Sequence, residues 1–226
     1  PSHFGRSPGR GRSAIRPAMT DFAALLQPDR GQPARTIHVV DKSHWDAWLT
    51  AQPPRHRAAL AAQRFAPGPY ASAILPGDRQ EEWSVVTVVA DQDALSPWCL
   101  AKLGETLPSG SYRLASGEPG PALLGWVLGQ YRFERYRKPD RAEGARVLLS
   151  GEPARIAPVL RLGEATYLVR DLVNRPAADL GPAELETEAA AIAEAEGASL
   201  SVSKGDALAE GYPMIHAVGQ AVPRAR

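Results

Sequence analysis

Only one cysteine, Cys99, occurs in the 226 residues. A single thiol excludes an internal disulfide framework and a cysteine-rich zinc site, and it points to a reducing compartment. Lysine is almost as scarce, limited to Lys42, Lys102, Lys138 and Lys204. A mechanism that needs a catalytic lysine therefore has four candidates. No apolar run approaches the ~20 residues needed to cross a bilayer, so no membrane partner is expected. Charge of one sign is missing too: 26 basic residues stand against 25 acidic ones, a net charge of +1. That balance makes no global case for nucleic acid or for an acidic-substrate funnel. There is no Gly-Gly pair, no phosphate loop, no zinc-protease His-Glu-x-x-His and no Gly-x-Ser-x-Gly nucleophile elbow.

What is present is an ordinary globular balance, with 44% hydrophobic and 23% charged residues. Wholesale disorder and coiled coil are excluded, and the length suits one large domain or two small ones. The 20 glycines and 21 prolines are spread out rather than periodic. Residues 1–18 carry Arg6, Arg10, Arg12 and Arg16 with no acid and no apolar core segment. They read as a disordered extension and not as a secretory signal, with Met19 the first methionine.

From Thr36 onward short strands alternate with helices, which says α/β. Thr36–Val40 is a β-rich run closed by Asp41, and Ser43–Leu49 a short helix with Ser43 as its N-cap. Arg57–Phe65 is Ala-rich and helical, and Tyr70–Leu75 is a strand ended by Pro76-Gly77. Trp83–Ala90 is the clearest buried strand. Pro97–Leu107 reads as a helix with Ser96 as N-cap, and Tyr112–Ala115 as a strand. Pro121–Arg137 reads as a long amphipathic helix, with Leu124, Leu128 and Tyr131 on one face. Lys138–Gly144 is a polar break and a candidate boundary. Arg146–Ser150 is a strand, and Pro153–Asn174 can be one helix that Pro158 should kink or re-start. Ala183–Glu196 is a helix ended by Gly197, Ser199–Ser203 a strand and Asp206–Glu210 one helical turn. Met214–Val218 is a last apolar run.

No active site emerges from these residues. His3, His38, His44, His56 and His216 are scattered, and a packed core histidine explains His38 or His216 better than a ligand does. Cys99, between Trp98 and Leu100, reads as a small buried hydrophobe. Ser109-Gly-Ser and Ser116-Gly-Glu-Pro-Gly are weak phosphate-loop candidates that ordinary turns explain better.

Three landmarks are more specific. Tyr167-Leu-Val-Arg-Asp-Leu-Val-Asn-Arg-Pro-Ala-Ala-Asp-Leu-Gly-Pro-Ala-Glu-Leu resembles the signature that opens the catalytic domain of the leucine aminopeptidase (cytosol aminopeptidase) family, with Arg170, Asp171, Leu172, Val173, Asn174 and Pro176 matching. Asp179 and Gly181-Pro182 follow at the family's spacing. Tyr212-Pro-Met-Ile-His-Ala-Val-Gly-Gln-Ala-Val-Pro-Arg is similar to its next landmark, and Leu124-Gly-Trp-Val-Leu-Gly-Gln-Tyr to its interdomain helix. The likeness is good over residues 120–226; residues 36–115 agree in α/β character only.

The resemblance implies a macro-like α/β N-terminal domain and a larger catalytic domain with two divalent metals, manganese or zinc, whose bound water attacks the N-terminal peptide bond. It also implies peptide substrates, a hexameric homo-oligomer and the cytoplasm. The domain division expected from it is a disordered extension over 1–18, a macro-like domain with its interdomain helix over 19–138, and the incomplete start of a catalytic domain over 139–226. The family's metal and lysine motif, Gly-Lys-Gly-(Val/Ile)-x-Phe-Asp-(Ser/Thr)-Gly-Gly, is absent, and so is its Asn-Thr-Asp-Ala-Glu-Gly-Arg. Lys204-Gly205 sits between Ser203 and Asp206, and Thr20-Asp21 leads into Phe22. No catalytic, cofactor-binding or metal residue can therefore be carried over, and the chain is expected to be an inactive N-terminal fragment that binds no metal. The competing reading is a standalone macro-like module for ligand binding or oligomer assembly.

Overall fold

A computed structural model describes residues 21–79, 81–136 and 144–220. The expected extension over 1–18 and the boundary at 138/139 lie outside the described residues. Packing divides the chain into two compact units, Pro1–Tyr167 and Leu168–Arg226.

The first unit is built on a six-stranded sheet. Its strands are β1 (Leu26–Pro28), β2 (Arg35–Asp41), β3 (Ser72–Pro76), β4 (Trp83–Val89), β5 (Gly110–Leu114) and β6 (Arg146–Ser150). Their spatial order is β1-β6-β5-β2-β4-β3, and every pair is parallel except β3 with β4. β6 lies between β5 and β1, inside this sheet. The Val-rich run Val85–Val89 is buried throughout because helices cover both faces, the usual fate of a central parallel strand. Its side chains alternate between two cores. Val85 and Val89 join Ile37, Tyr112, Leu148, Leu103, Leu123 and Trp126 on one face. Val86 and Val88 join Val40, Leu75, Trp45 and Leu60 on the other.

The second of these cores is roofed by α1 (Trp45–Ala51) and α2 (Pro54–Ala62). The first is roofed by α3 (Ala101–Thr106), α4 (Ala122–Gly129) and the first half of α5 (Pro153–Asn174). Two helices are shorter than their patterns predict. Residues 97–100 form turns before α3, and α4 ends at Gly129 instead of Arg137. α4 is buried nearly all round, not amphipathic: Ala122, Leu123, Gly125, Trp126, Val127 and Leu128 are all inside. It stops where Gln130 turns to β6, donating Nε2–H to the Arg146 carbonyl at 2.9 Å and accepting the Arg146 N–H at 3.0 Å. Trp126 Nε1 donates to the same carbonyl. α5 runs unbroken through Pro158. The segment from Asp21 gives a short 3-10 turn (Phe22–Ala24) and then β1, an edge strand that its three residues do not announce.

In the second unit, α6 (Pro182–Glu196) begins at Pro182, where Glu184 Oε2 accepts the Gly181 N–H at 2.9 Å. It ends at Gly197 in the left-handed conformation. α7 (Gly205–Gly211) and α8 (Pro213–Gly219) follow. The expected strand Ser199–Ser203 is not formed: a strand needs a ladder partner, and the described part of this unit is otherwise helix and turn.

Candidate functional site

Open α/β sheets bind ligands beyond the C-terminal ends of their parallel strands. In the first unit this end is satisfied by the chain's own carboxylates. Asp41, the last residue of β2, is buried. Its Oδ1 accepts the Ser43 hydroxyl at 2.6 Å, the His44 ring Nδ1 at 2.8 Å and the His44 backbone N–H at 3.0 Å, and its Oδ2 accepts the Gln92 N–H at 3.4 Å. The Ser43 bond and then the His44 and Gln92 bonds hold the Asp41 carboxyl below the usual carboxylate range, against the opposing effect of burial. Ser43 is thus not the N-cap that its position suggests. His44 takes that place, and Asp41 receives its N–H. The trio is also not a nucleophile relay. One ring nitrogen of His44, Nδ1, faces both Ser43 Oγ at 3.2 Å and Asp41, whereas a relay needs one partner on each nitrogen.

The loop Ser116–Gly120 behaves similarly. Glu118 Oε2 accepts the Gly151 N–H at 3.0 Å and the Ser150 hydroxyl at 3.3 Å. A carboxylate of the chain occupies donors that would otherwise face an anion. Ser109-Gly-Ser enters β5 at the sheet's opposite end and is no strand-to-helix loop.

The histidines do not converge. His38 lies in β2 against the Trp48 ring at 5.7 Å, His44 opens α1, and His56 lies in α2 with Nδ1 3.1 Å from Gln52 Oε1. In the other unit, His216 lies in α8. His3 lies outside the described residues. Cys99 is buried, its Sγ 3.3 Å from Ser96 Oγ. Lys102 pairs with Glu105 at 3.1 Å and Lys204 with Glu186 at 2.6 Å; Lys138 lies outside the described residues. Among the described residues no three His, Cys, Asp or Glu side chains are placed to hold a metal. The described residues do not fit the metal pair that the resemblance implies, so no catalytic step is derived through one.

In the signature segment, α5 ends at Asn174, where Pro176 turns the chain away. Arg175 Nη1 pairs with Glu188 Oε1 of α6 at 2.6 Å. An opening of the first unit lies elsewhere, where β2, β4 and β5 start. It is a groove of about 570 Å³ bordered by Arg35, Arg55, His56, Glu81, Trp83 and Ser111. Nothing in the sequence pairs Arg35 with Trp83, because 47 residues separate them and only the sheet order brings them together.

The first unit is a mixed α/β domain built on a six-stranded sheet. Residues 36–150, β2 through β6, match the M17 aminopeptidase, N-terminal domain family. The chain belongs to the M17 aminopeptidase family. Among solved structures it is similar to the cytosol aminopeptidase from Coxiella burnetii, with 25% identity and a TM-score of 0.69 over 88% of this chain and 44% of that one. The bottromycin maturation enzyme BotP in complex with Mn shares the fold at 23% identity and a TM-score of 0.56, over 79% of this chain and 40% of its own. The leucyl aminopeptidase from Leishmania major shares it at 17% and 0.53, over 82% and 42%. The chain thus spans less than half the length of these enzymes. No curated protein sequence matches it.

Proposed function

We propose that the intact protein is a two-metal aminopeptidase that releases N-terminal amino acids from peptides, and that this chain supplies its N-terminal domain and the start of the region leading to the catalytic centre. The observation that carries the reading is the match of residues 36–150 to the M17 N-terminal domain, on a fold that follows the Coxiella burnetii enzyme at a TM-score of 0.69. The signature Arg170–Pro176 supports it from the sequence side. Manganese or zinc, a hexameric homo-oligomer and a cytoplasmic setting belong to the same proposal. No described residue of this chain is assigned a step in hydrolysis. Its part is to build the domain and to carry the signature segment at the end of α5.

The experiment is a paired assay on L-leucine p-nitroanilide with manganese added. The purified chain is expected to give no chelator-sensitive turnover, and the intact gene product to give it. Turnover by the chain alone, surviving repurification and lost to a chelator, overturns the placement of catalysis outside it. An intact product that stays inactive with both metals overturns the aminopeptidase reading.

A further inference from the structure

The groove at the N-terminal ends of the strands contains a cation, Arg35, that forms no ion pair with a carboxylate among the described residues. Arg35 opens β2, and its guanidinium carbon stands 4.4 Å from the centre of the Trp83 ring and 6.0 Å from that of Tyr112. The other side is cleared by Gly110, whose φ of +143° suits glycine and where a Cβ would run into Arg35 Nη1. Nη1 reaches the Ser109 carbonyl in a long bond of 3.4 Å. The Nε is buried and has no acceptor among the described residues. A buried donor without a partner costs free energy until something accepts from it. The other charges at the rim are mostly spoken for: Arg55 pairs with Asp78, and Glu82 with Arg79 at 3.7 Å. Glu81, exposed on the same groove, has no ion pair among the described residues.

We propose that this groove binds a free α-amino acid, with its carboxylate on Arg35 and its ammonium on Glu81. A guanidinium is a planar fork whose N–H groups a carboxylate accepts in two parallel bonds, and that of Arg35 lies over the Trp83 ring. The Trp83 ring lends an apolar wall for the ligand side chain. About 570 Å³ suits a ligand of that size. The choice of an amino acid over other carboxylates rests on the proposed peptidase function, which would release such molecules. The binding itself is measured without any activity, so its failure leaves that function untouched.

The test is titration of the isotope-labelled chain, followed by amide correlation spectra. L-leucine is expected to shift Thr36, Trp83, Ser84 and Ser111 saturably, with a millimolar dissociation constant. Leucinamide lacks the carboxylate and should bind at least about tenfold more weakly, or ~1.4 kcal/mol. Arg35→Gln should lose leucine to the same degree, and Arg35→Lys should fall between. Glu81→Gln, an exposed change that should not disturb folding, should weaken leucine and leave N-acetyl-leucine unchanged, since the latter offers no ammonium. The proposal is overturned by the absence of saturable shifts, by acetate binding as well as leucine does, or by an Arg35→Gln variant that binds like the native chain. Should Arg35→Gln fail to fold, the Glu81→Gln comparison of leucine with N-acetyl-leucine decides alone.

Discussion

Gly125 and Gly129 lie one helical turn apart on α4, and both face backbone. A Cβ at Gly125 would overlap the Pro97 carbonyl oxygen, and one at Gly129 the Ala101 carbonyl oxygen. Gly104 returns the contact from α3, lying against the Trp126 carbonyl. The two helices touch backbone to backbone, which only missing side chains permit. Gly125→Ala should therefore destabilise the first unit by about 1–3 kcal/mol, the usual cost of overpacking, despite the better helix propensity of alanine. The measurement is the urea midpoint at constant m. An unchanged or raised midpoint would mean that α3 can slide away at no cost. The sequence shows the Gly-x-x-x-Gly spacing but not what it meets, because the opposing carbonyls belong to residues 97 and 101.

At the scale of elements, α1 and α2 form a roof held to the sheet partly by histidine. His38 projects from β2 onto the same face as Val40 and packs at a tilt against the Trp48 ring. Burial, and then the neighbouring His56, lower its pKa below the ordinary imidazole value. His56 is lowered in turn by burial and then by Arg55, against the opposing pull of the Pro76 carbonyl. Both rings are thus held neutral in the fold more firmly than in the unfolded chain. Their contribution to stability is complete above the unfolded value near ~6.5 and is lost as pH falls toward the lower folded values. The urea midpoint of the first unit should fall between pH 7.5 and 5.5, and a His38→Gln, His56→Gln double variant should remove much of that slope. A slope left intact in the double variant would place the acid sensitivity elsewhere. The existence of these elements is legible from hydrophobic periodicity, but their lengths are not. α4 loses its last two turns because Gln130 bonds the backbone of β6, which no local pattern announces.

For the whole molecule, the two units differ in what they bury. The first has two apolar clusters, with Ile37, Leu75, Leu100, Tyr112, Leu123 and Trp126 at 0% exposure. The described residues of the second include no buried side chain, while Val173, Met214 and Val218 are 78–80% exposed. Amide exchange should therefore be slowest in β2, β4, β5 and β6 and fastest in α6, α7 and α8, because protection follows buried apolar contact. Equal protection in both units would show that residues 168–226 close a core of their own, and would favour the standalone-module reading.

The α/β character, the central strand at Trp83, β6 at Arg146, the helices at Pro153 and Pro182 and the family resemblance are all readable from the chain alone, because periodicity, turn residues and motifs are local. The sheet order is not local. It alone sets β6 between β5 and β1, turns Glu118 onto Gly151, and brings Arg35, Trp83 and Gly110 together at one end of the strands. Ser199–Ser203 shows the converse: it alternates as a strand should and forms none, because a strand exists only where another backbone completes its hydrogen bonds.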